Sequence, residues 1–441
     1  MYLPVEVALR ELYPKAFLAA FLAKKGYRVF VHPDYMLPKL GFHGGVVLGK
    51  NQIHAKKVLS KSRKKKSFVL FEEEGAPVSG DDNERNIVVQ DRLREGAEEI
   101  SDVITTWGRW QNEAIRGITD KSVVCTGSLY MELSKPKYKS ACAELDLDIT
   151  GGLSGYLLVN TRFVFANGEG APYTAFTGNP TYTYKGATPG YWRKNFSNEM
   201  SMLGAFIKLV ERIAVTFPEL AIVLRPHPAE NCLFYEEIFK DFDNITVTNA
   251  GHVISWIRNA ACVLTNGCTT SMQSEVGGVP VINFKPDFCT NDPTLLDGIG
   301  FQANSEDEVI FAINNFIRKE YGIFKCGNWL DELETYSLEC DSIEKFGYIV
   351  DELSINHVPD NFSAKNIFLR LLNVHLANFV KDLLKRPKAH KEFGSFRKYC
   401  SSAAKHFGIT VVISEPVENY YIVQCDCDAS LKKTRLPKRC V

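Results

Sequence analysis

The chain has 441 residues, 45% hydrophobic and 24% charged, too long for one ordinary domain and too apolar to be disordered. Lys+Arg and Asp+Glu both number 52, so no net charge draws the whole molecule to nucleic acid or to an anionic surface, and electrostatic function has to be local. No run approaches the ~18–20 consecutive apolar residues of a membrane span, since stretches such as Leu157 to Val159 and Ala261 to Leu264 are strand-sized.

The first residues, Met1-Tyr2-Leu3-Pro4-Val5-Glu6, carry no basic stretch followed by a long apolar one, so a cleaved signal peptide is not expected and the chain reads as cytosolic. A helix-period stretch from Ala16 to Lys25 stops at Gly26, and Arg28-Val29-Phe30-Val31 follows as a β-rich run. That is the spacing of a βαβ unit. After the basic run Lys61 to Lys66 comes Ser67-Phe68-Val69-Leu70-Phe71, continuous and apolar as a strand buried on both faces is. Val103 to Trp107 and Ser122 to Cys125 continue the alternation, so residues 1–145 read as one Rossmann-like half. Residues 135–154, rich in lysine at one end and ending near Gly151-Gly152, suit an interdomain linker.

A second series spans 155–330: a strand at Tyr156 to Asn160, a long amphipathic helix at Asn198 to Phe217, then strands at Ala221 to Arg225, Ile245 to Val247, Ala261 to Thr265 and Pro280 to Phe284. Two doubly wound α/β halves joined by a linker place a ligand in the cleft between them, at the carboxyl ends of the strands, the layout of GT-B glycosyltransferases. Residues 331–441 read as a mainly helical extension, with a helix at Ala364 to Lys385 and a late strand at Ile409 to Ile413. Residues 361–441 hold fifteen Lys+Arg against six Asp+Glu, and this basic extension is either a solvated surface or a peripheral contact with anionic lipid or an anionic acceptor. The twelve cysteines show no Cys-x-x-Cys pair and no zinc spacing, and are expected to be reduced, mostly buried thiols.

Three constellations can carry chemistry. In Leu224-Arg225-Pro226-His227-Pro228-Ala229-Glu230, two prolines present the His227 imidazole at a strand end, and Arg225 beside it is suited to phosphate; a plain strand-end turn is the alternative. In Asn266-Gly267-Cys268-Thr269-Thr270-Ser271, a glycine permits close backbone approach and three hydroxyls gather where a helix begins, with Glu275 one turn further in; simple N-capping is the alternative. Phe71-Glu72-Glu73-Glu74-Gly75 ends the apolar strand with three crowded carboxylates, where desolvation and repulsion raise at least one proton affinity toward that of a base; an acidic surface turn is the alternative. The Asp-x-Asp patterns at Asp146, Asp241 and Asp426 sit in the linker, at the amino end of a strand and in the tail, so no catalytic metal is expected.

In order and placement, Glu73-Glu74-Gly75, His227-Pro228 and Thr269-Thr270-Ser271 resemble the acidic-acidic-Gly, His-Pro and Ser/Thr motifs of bacterial sialyltransferases. The chain is more closely similar to the bacterial surface carbohydrate biosynthesis proteins, through Leu3-Pro4-Val5-Glu6, Arg10-Glu11-Leu12, Glu72 to Gly75, Thr126-Gly127-Ser128, Leu158 to Thr161, Arg225 to Asn231 and Asn266 to Thr270. The likeness covers roughly residues 2–290. It implies a GT-B enzyme moving a nonulosonate or Kdo-type sugar from a CMP-activated donor to a cell-surface glycan or lipid-linked acceptor, with no cofactor and no nucleic-acid partner. Glu73 would be the acceptor-activating base, with Glu74 or Glu72 in reserve, and His227 would meet the departing phosphate. Arg225, Pro228, Glu230, Asn266, Gly267, Cys268, Thr269, Thr270, Ser271 and Glu275 would line the donor site. The retaining Kdo transferases place a nucleophilic carboxylate elsewhere, so the anomeric outcome stays open. The competing readings are a CDP-polyol phosphotransferase, a UDP-sugar epimerase of the same form, and a non-catalytic protein of that shape.

Overall fold

The computed structural model describes residues 1–34, 36, 44–50, 66–71, 73, 90, 100–168, 189–288, 296, 298–319, 341–355, 391–417 and 419–426. In chain order the first part contains β1 (Tyr2–Val5), α1 (Ala8–Lys24), β2 (Val29–Pro33), β3 (Gly45–Gly49), β4 (Lys66–Leu70), β5 (Val103–Thr106), α2 (Arg109–Ile115), β6 (Ser122–Cys125), α3 (Leu129–Ser134) and α4 (Lys139–Thr150). The second contains β7 (Tyr156–Asn160), α5 (Val164–Asn167), α6 (Pro189–Thr216), β8 (Ile222–Arg225), α7 (Cys232–Ile238), β9 (Ile245–Val247), α8 (Val253–Asn259), β10 (Ala260–Thr265), α9 (Thr270–Val276), β11 (Val281–Phe284), β12 (Phe301–Ala303) and α10 (Glu306–Ile317). The chain then adds α11 (Ser342–Ser354), α12 (Phe396–Phe407), β13 (Val411–Val417) and β14 (Tyr420–Cys425).

The strands form an eight-stranded sheet, β13-β14-β2-β1-β3-β4-β5-β6, and a six-stranded sheet, β12-β11-β10-β7-β8-β9. All pairings in the second sheet are parallel, and in the first only the β13–β14–β2 ladders are antiparallel. The α/β two-sheet architecture read from the sequence is the one observed. Strand order reverses between β1 and β3 in one sheet and between β7 and β10 in the other. These are the switch points where helices leave on opposite faces and open a crevice at the carboxyl ends.

Helix α1 is the hub of the first half. Ala16, Phe17, Leu18, Ala19, Ala20, Leu22 and Ala23 are all fully buried, as a helix apolar on every side must be, with the sheet on one face and α11 and α12 on the other. Pro14 lies inside it and has no N–H to give the carbonyl of Arg10. That carbonyl is taken instead by His252 Nε2 at 2.9 Å, from the start of α8 in the second half. His252 Nδ1 accepts from the N–H of Ile254, so the proton it donates is on Nε2, and burial pushes its pKa down to about 3. Arg258 from α8 binds Asp146 of α4 at 3.0 Å and donates to the hydroxyl of Tyr13 and the carbonyl of Leu133, all of them buried. The two halves therefore meet through paired and hydrogen-bonded groups.

The structure departs from the expected division in two places. Residues 135–154 do not form an open linker: α4 packs against α8 and α12, Lys135 and Asp146 are buried, and only Gly151 and Gly152 turn the chain, both at positive φ. The last segment is not a separate helical extension. Strand β14 pairs antiparallel with β2 and with β13, burying Tyr420, Tyr421 and Val423, and Asn419 just before it stands at φ 61°. The helix expected at 364–385 and the basic end at 430–441 lie outside the described residues. Among the described residues no helix is long and apolar enough to cross a membrane, and the cysteines are free thiols, with Cys142, Cys262, Cys268 and Cys400 buried.

Candidate functional site

The acidic cluster is assembled at the switch point of the first sheet. Glu6 follows β1, Lys50 follows β3, and Glu73 lies just past β4. Glu73 is 3% exposed; its Oε2 lies 3.0 Å from Lys15 Nζ, and its Oε1 accepts from the Tyr130 hydroxyl at 3.0 Å. All three donors of the Lys15 ammonium are used, on Glu73, on Glu11 Oε2 at 2.8 Å and on the Pro4 carbonyl at 2.7 Å. Two buried carboxylates thus share one cation, and their other partners decide which stays charged. Burial opposes the charge of Glu11, but Lys15, Lys50 and the Glu6 N–H outweigh it and hold its pKa down to about 2. Among the described residues Glu73 has fewer donors: burial and the neighbouring Glu11 push it up to about 7, against the pull of Lys15. Its raised proton affinity therefore comes from burial and from Glu11, a residue on α1. Glu72 and Glu74, expected to crowd it, lie outside the described residues.

At the second sheet, strand register aligns Asn283, Thr265, Asn160 and Arg225 across the carboxyl ends of β11, β10, β7 and β8. The His227 turn leaves β8 and is folded around Glu230, which is buried and accepts from the His227 N–H at 3.1 Å, the Thr161 hydroxyl at 3.1 Å and the Tyr235 hydroxyl at 2.6 Å. Burial raises the Glu230 pKa against these donors. Glu230 is thus the turn's internal anchor. His227 is half-buried, and its Nδ1 accepts from the Ala229 N–H at 3.2 Å, which leaves the proton of the neutral ring on Nε2. Pro228 is exposed at the tip of the turn.

Arg225 was expected to offer its guanidinium to phosphate. It donates instead to the carbonyls of Ala250 and Gly251 at 2.7 and 3.0 Å and lies over the Trp256 ring, buried deeply enough to bring its pKa down to about 10. Two bonds to the segment before His252 make it a brace between β8 and α8.

The 266–271 turn leaves β10, separated from the His227 turn by β7. At a strand spacing of about 4.8 Å, the strand ends from which the two turns leave are about 10 Å apart. Gly267 has φ 86° and a Cβ there would meet nothing within 4 Å, so glycine answers the backbone conformation and not a close approach. Thr269 makes no capping bond, Ser271 is buried and donates to the Cys268 carbonyl at 2.7 Å, and Cys268 is buried with its N–H on Thr265. Asn266 Nδ2 donates to the Arg162 carbonyl at 3.1 Å. Glu275 is partly buried, which raises its pKa. The structure thus brings His227, Asn266, Thr269 and Thr270 to one edge, and gives Arg225, Glu230, Cys268 and Ser271 internal partners.

An apolar cluster joins the two edges. Tyr130, whose hydroxyl binds Glu73, forms an apolar cluster with Trp107, Met131, Leu296, Ile299 and the α9 residues Met272 and Val276. Met272 is two residues beyond Thr270, so the Glu73 partner Tyr130 and the helix that the 266–271 turn begins share one apolar cluster. Sequence reading missed Lys15, Tyr130 and Glu11 as parts of this arrangement. The readable signal was a Glu and a Lys four apart on a helix that is otherwise mostly apolar. Among the described residues no group of three or more His, Cys, Asp or Glu side chains is placed to hold a metal ion.

No protein-family model and no curated protein matches the chain. Among solved structures it is similar to the Methanocaldococcus jannaschii UDP-GlcNAc 2-epimerase in complex with UDP-GlcNAc and UDP, at 14% identity and TM-score 0.44 over 80% of this chain and 100% of that one. It is likewise similar to the S. aureus MnaA structure with UDP (12%, TM-score 0.46, 82% and 99%) and to the wall teichoic acid polymerase TagF with CDPG (11%, TM-score 0.39, 71% and 72%). None of these three is a sialyltransferase or a Kdo transferase. Likeness at this level assigns neither donor nor reaction.

Proposed function

We propose that the chain is a glycosyltransferase that moves a sugar from a nucleotide-activated donor, of which a CMP-activated acid sugar is the preferred reading, onto a surface-glycan acceptor. The observation that carries the proposal is Tyr130, which binds a buried, proton-accepting Glu73 on one sheet edge and shares an apolar cluster with Met272 of the helix that begins at Thr270 on the other. In this reading the acceptor hydroxyl gives its proton to Glu73 as its oxygen bonds to the anomeric carbon. The bond from that carbon to the phosphate oxygen breaks, and the charge left on the phosphate is met by the Nε2–H of His227. A purely binding role has no need of a buried carboxyl poised near neutrality beside a cation already shared with Glu11.

The test is a thermal-shift panel of CMP, CDP and UDP followed by a transfer assay. Saturating CMP at a hundredfold excess over Kd should stabilise the protein by about 2.7 kcal/mol. Stabilisation by UDP alone would point to a UDP-sugar enzyme, and by CDP alone to a polyol-phosphate transferase. His227→Ala, at a half-buried turn, should keep the fold and lower kcat by roughly 10²–10⁴-fold. Near-wild-type turnover of that variant would return His227 to the role of a turn residue.

A further inference from the structure

We infer that Asn160 is a ligand-binding residue at the switch point of the second sheet, its side-chain amide taking a phosphate oxygen of a ribonucleotide, with Thr270 and Asn266 completing the contact. This deepens the reading above and rests on it. Asn160 ends β7, with β8 on one side and β10 on the other, at the position where strand order reverses. By the alternation of a strand it lies on the same face as Tyr156 and Leu158. It is 3% exposed, and its Nδ2 has no hydrogen-bond partner among the described residues. Its register neighbours differ: Arg225 is committed to Ala250 and Gly251, and the Thr265 hydroxyl to the Cys268 N–H.

Two more buried atoms without a partner among the described residues, Asn266 Oδ1 and Thr270 Oγ1, belong to the turn that leaves β10 beside Asn160. A buried amide or hydroxyl without a partner is costly enough that three around one strand end call for a ligand that supplies their partners. The chemistry of the set limits what that ligand is. Nδ2 can only donate and so needs an acceptor oxygen; a hydroxyl can do either; Oδ1 can only accept and so needs an O–H or N–H. A phosphate oxygen together with a ribose hydroxyl meets all three. A bare phosphate, with at most one hydroxyl on its dianion and no ribose, meets the set less well.

A group kept for a ligand has a signature that a structural group lacks: replacing it with an apolar side chain of similar size leaves the unliganded protein as stable or more stable while binding is lost. Asn160→Leu should therefore melt at or above the wild-type temperature without ligand and bind CMP or UDP, whichever stabilises the wild type, at least tenfold more weakly. Thr270→Val, at a partly exposed position, should weaken the same nucleotide several-fold with no loss of unliganded stability. Inorganic phosphate should stabilise the wild type less than the nucleotide at equal concentration. Nucleotide affinity retained in Asn160→Leu and Thr270→Val, or a fall in the unliganded melting temperature of Asn160→Leu, would overturn the inference and leave the transferase reading standing. A wild type stabilised by no nucleotide would overturn both.

Discussion

Replacing Glu73 with Gln separates the physics of the acidic cluster from the reaction assigned to it. Gln has the shape of the protonated acid and can still meet the Tyr130 hydroxyl, but it does not titrate. In the wild type, burial and Glu11 raise the Glu73 pKa from 4.5 to about 7. The folded state thus binds a proton that the unfolded state has released between those two values. This contribution to stability is fully present below about pH 4.5 and is lost as the pH rises through about 7. At roughly 1.4 kcal/mol per pH unit the loss is on the order of 3 kcal/mol. Lys15 stays charged over this range, and Glu11, held down to about 2, stays ionised, so losing the Glu73–Lys15 pair adds only a constant offset. Urea unfolding of both proteins at pH 5 and pH 8 should show the difference in unfolding free energy moving by about 2.5 kcal/mol in favour of Glu73→Gln at the higher pH, the rest of the loss having occurred below pH 5. Equal differences at the two pH values would refute the account of the cluster, whatever the protein's activity. Transfer should fall by roughly 10²–10⁴-fold while nucleotide-induced stabilisation holds, and Glu72→Gln and Glu74→Gln measured beside it decide whether the base is Glu73 or a neighbour.

The interface between the halves yields two more tests. Arg258→Met should cost about 3–5 kcal/mol by leaving Asp146 as a buried unpaired charge, and adding Asp146→Leu should recover much of it; additive losses by calorimetry would mean that the pair is not coupled. His252→Ala removes an N-cap and leaves the Arg10 carbonyl unsatisfied, for about 2–4 kcal/mol in urea unfolding at pH 7.5. Because burial holds the pKa of His252 down to about 3, its share of stability is present above the unfolded value of 6.5 and lost as the pH falls toward 3, so the variant should lose less stability than the wild type between pH 6.5 and 5.

Long apolar strands were legible because burial on both faces writes itself into the residues: Tyr156 to Asn160 and Ala261 to Thr265 were placed within one residue of where they stand. Strand β3 escaped because its three apolar residues stand between glycines, too short a run to signal a strand. The late strand expected at Ile409 to Ile413 overlaps β13, but β14 and its place beside β2 escaped, since a hairpin says nothing of which distant strand it will join. The lysine-rich 135–154 segment read as a linker because Lys135 and Asp146 look like surface residues until Glu132 and Arg258 are beside them. The strand-end turns could be found from prolines, glycines and hydroxyls in order. Arg225 was misjudged because sequence shows a cation near a strand end and not the carbonyls that claim it.

The pairing of β14 with β2 sets the order in which the molecule can be completed. Residues 29–33 leave the ribosome early, yet their partner strand lies at 420–425. At about 5–20 residues per second, their outer edge waits for roughly 20–80 s, longer than small domains take to fold. The six-stranded sheet, whose strands all lie between 156 and 303, can close within that interval. The half of the chain made first is therefore finished last, and until then an unpaired hydrophobic edge stands open to wrong partners. Slower translation should lengthen that exposure and lower soluble yield, and supplying residues 391–426 as a separate peptide during synthesis should shorten it.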